Sequence, residues 1–252
     1  MQAYQNQIWT TVTHGALAAA VGLVLAGFCA APASARERLF TPPPGCTAFL
    51  TVQSRSCMVS HYWTCDDDPK GTSWRISLDQ DGPLYLSHTD REFRWLRNFD
   101  LRDGASSTLV IPEDDPASLT ELFETGIDSM AFTMNRESSA GTEQQDYIGF
   151  DLLTGETVTI DGRTLLVTSF SYEYDTGSGP QRVNGSQTVS EDWHLFFGGI
   201  ETVTTPDGIT FESDSSPMQF AEPGEDGFLT RIPLYDCGDT ISALPFTSGD
   251  QG

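Results

Sequence analysis

The sequence predicts an all-β protein with mainly antiparallel strands, built as a single-domain barrel or sandwich of roughly ten strands. Three observations carry this prediction: short runs of alternating apolar and polar residues recur along the chain, glycine-containing turn signals separate them, and only one segment has a helical pattern. Hairpins between neighbouring runs favour an antiparallel sheet over a parallel α/β sheet. The pattern does not distinguish a barrel from a sandwich.

The turn signals consist mostly of Asp-Gly or Asn-Gly pairs, which tolerate the positive φ angles of tight hairpin loops. The clearest predicted hairpin joins residues 157–160 to residues 164–174 through Asp161, Gly162 and Arg163. The signals are Asp81-Gly82-Pro83, Asp103-Gly104, Thr154-Gly155, Asp161-Gly162, Asn184-Gly185, Asp207-Gly208 and Asp226-Gly227.

One short helix is predicted near residues 116–125. Asp115 is suited to cap it, Pro116 suits the first helical position, and Gly126 is suited to end it. Leu119, Leu122 and Phe123 form an apolar stripe in this segment. The predicted role is structural, as a helix that packs against the sheet or closes the end of a barrel.

The first 35 residues have the pattern of a cleaved signal peptide. Residues 15–28 are apolar or small, and Ala33-Ser34-Ala35 provides the small residues that a signal peptidase requires. A membrane-spanning helix needs about 20 apolar residues, and Pro32 follows this run closely. We therefore expect export to the periplasm or medium without membrane insertion after cleavage, a β-rich domain over residues 36–237, and a flexible tail over residues 238–252.

Four cysteines follow the predicted leader, an even number that favours two disulfides in an exported chain. An extended strand from Cys57 to Cys65 would hold those two sulfur atoms roughly 26 Å apart, too far for a bond. A turn near residues 55–56 would instead bring Cys46 opposite Cys65. We expect Cys46–Cys65 and Cys57–Cys237; the alternative is Cys46–Cys57 with Cys65–Cys237.

Metal sites are the alternative interpretation of two patterns, although no cofactor is our main expectation. Cys57, His61 and Cys65 would suit zinc on a helix, but their segment has strand composition. Calcium, as a structural ion, is the second alternative because oxygen ligands cluster in acidic turns. The candidate calcium ligands are Asp66, Asp68, Asp79 and Asp81.

The chain is strongly acidic, with 13 Lys and Arg against 36 Asp and Glu and a formal net charge of −23. This charge repels phosphate backbones and anionic lipid, so we expect no nucleic-acid partner. Cations and basic proteins are the electrostatically permitted partners.

Arginines are concentrated beside aromatic residues between positions 91 and 102. If residues 91–101 formed a regular strand, Trp95 and Arg97 would share one face with neighbouring aromatic residues. Arg94, Trp95 and Arg97 are therefore our candidate ligand-binding residues, and a small amphipathic anion is the candidate ligand. A surface network between these arginines and the surplus acids is the simpler interpretation.

The sequence contains no hydrolase or nucleotide-binding motif that we can identify. His88 and His194 are weak catalytic candidates, because nearby acids would suit a histidine to acid–base chemistry. We expect an exported acidic module that binds a ligand or the cell envelope without catalysis. The alternatives are a hydrolase of polysaccharide or ester substrates, and a structural surface protein that docks a basic partner.

Overall fold

A computed structural model of the chain describes residues 39–238, so the predicted signal peptide and all but the first residue of the predicted tail lie outside the described residues. Within the described range the protein is nearly all antiparallel β-structure with one short helix and two disulfides, as predicted. The strands number thirteen and not ten. Their bounds are β1 Cys46–Ser54, β2 Met58–Cys65, β3 Ser73–Asp79, β4 Gly82–Thr89, β5 Trp95–Asp100, β6 Ser106–Asp115, β7 Ile127–Ser138, β8 Gly141–Ile160, β9 Arg163–Asp175, β10 Pro180–Ser190, β11 Leu195–Thr204, β12 Thr210–Asp214 and β13 Pro217–Ala221, with helix α1 at Leu119–Thr125 between β6 and β7.

All thirteen strands belong to one sheet, in which β1 to β12 follow each other in chain order and β13 pairs with β1. The strands β12 and β13 are therefore the two edges of the sheet, although only residues 215 and 216 separate them in sequence. No ladder joins these two edges within residues 39–238. The sheet is rolled but not closed by backbone pairing.

Packing across the roll is visible in the main apolar cluster. Leu50 of β1, Leu165 of β9 and Phe220 of β13 belong to this cluster and are at most 2% exposed. β9 lies many strands away from β1 along the sheet, so these side chains meet only because the sheet curls around them. Burial of this apolar surface stabilises the rolled form.

The end of the β8–β9 hairpin connects to β13 through polar contacts. Asp161 accepts a hydrogen bond from the backbone N–H of Phe220, with 3.0 Å between the heavy atoms. Arg163 pairs with Glu225 at 2.9 Å and lies over the Trp193 ring. This hairpin is the one predicted around Asp161-Gly162. Its turn is one residue shorter than predicted, because Arg163 pairs with Ile160.

Residues 222–238, which we call the closing segment, run back over the outer face of β1. The Gln53 side-chain amide forms two hydrogen bonds to the backbone of the closing segment. Its Nε2 donates to Ile232 O, and its Oε1 accepts from Leu234 N–H, each at 3.0 Å. The hydroxyl of Thr51 accepts from Leu229 N–H at 2.9 Å. The Cys57–Cys237 disulfide fixes the end of this segment.

Both predicted disulfides are present, and they exclude the alternative pairing and the zinc interpretation. Cys46 and Cys65 are cross-strand partners of β1 and β2, as the turn after Ser54 requires. Since Cys57 and Cys65 are each bonded to another cysteine, neither sulfur remains as a thiolate ligand. Two intramolecular disulfides indicate folding in an oxidising environment.

Helix α1 is shorter than predicted and begins later. Ser118, not Asp115, caps it by accepting a hydrogen bond from Glu121 N–H, while Asp115 ends strand β6. Gly126 ends the helix with a φ angle of 88°, as predicted. In the described part of the chain, no helix has the length and apolarity needed to cross a bilayer.

Two predicted turns lie inside strands. Gly155 lies in an irregularity of β8, where the register to β9 shifts between Leu153 and Thr157. Gly185 lies within β10, and a Cβ at that position would collide with the carbonyl oxygen of Ile200. Close approach of the neighbouring strand, and not turn formation, explains Gly185.

The two disulfides should contribute unequally to stability because they close loops of different length. The sequence separations are 180 residues for Cys57–Cys237 and 19 residues for Cys46–Cys65. Loop-closure entropy alone predicts losses of about 5 and about 3 kcal/mol, respectively, when each bond is removed. We expect the Cys57→Ser/Cys237→Ser variant to have the lower free energy of unfolding, measured by urea denaturation. Equal or reversed losses would contradict the role assigned to the closing segment.

Candidate functional site

The inner face of the rolled sheet lines a cavity of about 460 Å³, which we call the inner cavity. Residues from ten strands and helix α1 line it. Aromatic and polar groups share this lining. The residues used below are Ser87, Glu92, Phe93, Trp95, Asp128, Asp151, Phe170, Tyr172, Gln187, Phe196, Glu201 and Arg75.

Trp95 forms the centre of the aromatic wall of the inner cavity. Its ring meets Phe132, Tyr147 and Tyr172 edge-on, with ring centroids 5.7–5.8 Å apart. Tyr172 also stacks against Phe170 at 6.1 Å. Edge-to-face contacts of this kind fix ring orientation, so the wall is a preformed apolar surface.

The strand β5 is irregular, which separates the predicted ligand-binding residues. Thr89 pairs with Trp95 and His88 pairs with Arg97, so Leu96 is left without a partner in the register. This extra residue reverses the side-chain alternation, and Trp95 and Arg97 lie on opposite faces. The predicted common face of Trp95 and Arg97 is therefore wrong.

Neither of the two predicted arginines lines the inner cavity. Arg97 is exposed on the outer face, with its guanidinium over the Phe99 ring at 5.1 Å. Arg94 is held by ion pairs to Asp90 at 2.6 Å and Glu113 at 3.2 Å. Only Trp95 of the three candidates lines the inner cavity.

Arg75 of β3 is the arginine that sequence reasoning missed. It is the one basic residue among the described residues that line the inner cavity. Its guanidinium lies 5.9 Å from the centre of the Tyr85 ring, and its Nε has no hydrogen-bond partner within residues 39–238. The alternation in β3 was the only available signal, because it puts Arg75 and Ser77 on one face.

Two aspartates face each other across strands β7 and β8. Asp128 and Asp151 are cross-strand partners, both line the inner cavity, and they are only 4% and 7% exposed. Ser118 N–H donates to Asp128 Oδ2, and Gln187 Nε2 donates to Asp151 Oδ1, each at 2.9 Å. Sequence analysis did not select these two residues among 36 acids, because their pairing depends on the β7–β8 register.

Burial changes the acidity of this pair. It raises the pKa of Asp151 to about 7. The hydrogen bond from Gln187 lowers this pKa, and the nearby Asp128 carboxyl raises it further. It also raises the pKa of Asp128 to about 6, although the Ser118 N–H opposes the change. Glu121, Asp115 and Glu92 add to the increase at Asp128. Because the two groups interact, their protons belong to the pair.

The weak catalytic candidates lie elsewhere. His88 stacks on Trp74 at 4.2 Å on the outer face. His194 contacts the Arg91 guanidinium at 3.2 Å through Nε2. Among the hydrogen bonds of residues 39–238, neither histidine is paired with a serine hydroxyl, so no Ser–His pair supports the hydrolase alternative there.

The acidic turns nominated for calcium have protein partners. Asp68 accepts a hydrogen bond from the Trp74 indole, and Asp79 pairs with Arg102. Asp66 lies in the turn after β2 and Asp81 in the β3–β4 turn. Among the described residues, no group of three or more His, Cys, Asp or Glu side chains is arranged to hold a metal ion.

Comparison of the chain with protein-family models, curated proteins and solved structures finds no match. The inner cavity and its lining are therefore the observations on which a functional proposal depends.

The raised pKa values predict how the Asp128–Asp151 pair affects stability. An unfolded aspartate has a pKa near 4, so the folded protein binds more protons between about pH 4 and pH 7. The contribution of the pair to the free energy of unfolding is therefore most favourable below pH 4. It is lost as the pH rises through about 7. We expect Asp151→Asn to reduce the fall in unfolding free energy between pH 4.5 and 7.5 by as much as about 3 kcal/mol.

Urea denaturation at the two pH values measures this effect. Asp146→Asn is the matched control, because Asp146 lies on the same strand but is exposed. The control should keep the wild-type pH dependence. An Asp151→Asn variant with the wild-type pH dependence would contradict the burial of an ionisable pair in the cavity.

Proposed function

We propose that this protein is an exported, non-catalytic binding module that holds a small amphipathic molecule in the inner cavity. The single observation that carries the proposal is a cavity of about 460 Å³ with an ordered aromatic wall and a few convergent polar groups. Ligand sites in proteins have volumes of roughly 300–1,000 Å³ and this mixture of lining groups.

The polar lining supports a ligand with both apolar and polar parts. Trp95, Phe170 and Phe196 offer apolar ring surface, while Ser87 and Gln187 offer hydrogen-bonding groups in the same cavity. Polar groups of this kind fix the orientation of a ligand that the aromatic surface holds. Core packing alone would favour apolar side chains at these inward positions.

The two disulfides support the proposed location in the periplasm or outside the cell. Such bonds persist in those compartments and are rare in the cytosol. A net charge of −23 also agrees with a protein that remains soluble without a nucleic-acid or anionic lipid partner.

The proposal predicts that Trp95→Leu weakens binding of a neutral amphipathic probe. We suggest 6-propionyl-2-(dimethylamino)naphthalene, whose fluorescence reports an apolar environment, titrated with purified oxidised protein. Loss of the central ring of the wall should lower the probe affinity about tenfold, the change expected for about 1.4 kcal/mol of lost contact. Native mass spectrometry of gently purified protein should also detect a retained small molecule.

Trp74→Leu is the matched control, because Trp74 is also half-buried but lies on the outer face, stacked on His88. A second control is Phe150→Ser, because Ile148, Phe150 and Leu152 form an exposed apolar patch on β8. Both controls should keep wild-type affinity. If Phe150→Ser abolished probe binding and Trp95→Leu left it unchanged, the inner cavity would be refuted as the binding site.

A further inference from the structure

The Asp128–Asp151 pair is an unusual feature for the inner wall of a sheet. Directly opposed residues of an antiparallel pair have Cβ atoms about 4.5–5.5 Å apart, and like charges there repel each other. Both carboxyl groups are also removed from bulk water, since neither residue is more than 7% exposed. Two buried acids at this separation require a proton or a cation between them to be stable.

Within residues 39–238, the pair accepts hydrogen bonds only from neutral donors. Asp128 Oδ2 and Asp151 Oδ1 each accept one hydrogen bond, from a backbone N–H and a side-chain amide. The other oxygen of Asp128, Oδ1, is buried without a hydrogen-bond partner within residues 39–238. In the same described range, neither aspartate forms a salt bridge. An unpartnered acceptor therefore belongs to a side chain that lines the cavity.

The charge of the whole lining agrees with a cationic ligand. Four acids line the inner cavity, Glu92, Asp128, Asp151 and Glu201, against the single base Arg75. Glu92 is already occupied by hydrogen bonds from Ser118 and Thr120. The aromatic wall adds the negative faces of its rings, which attract cations.

We propose that the molecule bound in the inner cavity is an amphipathic amine, whose ammonium group lies between Asp128 and Asp151 and whose apolar body packs on the aromatic wall. This inference rests on the proposed binding function and names its ligand class. An ammonium group supplies N–H donors to carboxylate oxygens, and its charge offsets the repulsion between the two carboxylates. It replaces the small anion expected from the arginines near Trp95.

The test compares three probes of similar shape and different charge by isothermal titration calorimetry at pH 7.5. The probes are 2-phenylethylamine, 2-phenylethanol and 3-phenylpropionate. The wild-type protein should bind the amine at least tenfold more tightly than the alcohol or the acid. Equal affinity for all three, or a preference for the acid, would overturn the inference.

The variants Asp151→Asn and Asp128→Asn keep the shape of each side chain and remove its charge. Each should lower amine affinity at least tenfold, and by a larger factor than it lowers affinity for the neutral naphthalene probe. Asp146→Asn, the exposed control on the same strand, should change neither affinity. If Asp128→Asn does not fold, Asp151→Asn alone decides the test, because Ser118 N–H binds Asp128 and not Asp151.

The outcomes distinguish the two proposals. If neutral-probe binding depended on Trp95 but Asp151→Asn left amine affinity unchanged, the amine proposal would be refuted. The proposed binding function would still stand. Failure of both probe types to bind would refute both proposals. Displacement of the amine by micromolar calcium chloride would assign the pair to an inorganic cation and so overturn the inference.

Discussion

The rolled sheet depends on contacts other than a closing backbone ladder. Strands β12 and β13 are adjacent in the chain and form opposite edges of the sheet, and they do not pair within the described residues. Instead, Asp161 binds the backbone of Phe220, the main apolar cluster packs across the roll, and Gln53 binds the closing segment on the outside. The Cys57–Cys237 bond then fixes that segment to the start of β2. These contacts hold the inner face of the sheet in its rolled form.

A sheet rolled in this way directs its inward side chains to one cavity. Burial there has different consequences for apolar and for acidic side chains. Apolar rings such as Trp95 are stabilised by leaving water, whereas Asp128 and Asp151 are destabilised as carboxylates and hold protons more tightly. Natural cores avoid such unpaired acids unless another property compensates. The repulsion and burial of these two carboxylates are the physical reason for the proposed ligand, because within residues 39–238 Asp128 Oδ1 has no hydrogen-bond partner and neither aspartate forms a salt bridge.

Local patterns predicted those parts of the structure that depend on neighbouring residues. The Asp161-Gly162 hairpin followed from turn chemistry, and the partner of Cys65 followed from the length of an extended strand. Predictions that depend on neighbouring strands were wrong. Asn184-Gly185 was predicted as a turn, but Gly185 permits close approach of β11. Leu96 is an extra residue in β5, and it places Arg97 on the outer face. The Asp128–Asp151 pair is invisible without the β7–β8 register, since any two of many acids would fit equally well.

Nuclear magnetic resonance tests the closure of the sheet most directly. Nuclear Overhauser effects should link the methyl groups of Leu165 on β9 to Leu50 on β1 or Phe220 on β13, strands that are far apart in the order of the sheet. Their presence in the oxidised protein would support a rolled sheet with an enclosed inner face. If Leu165 showed effects only to β8 and β10, the sheet would be open in solution, and the cavity with its buried acids would not exist.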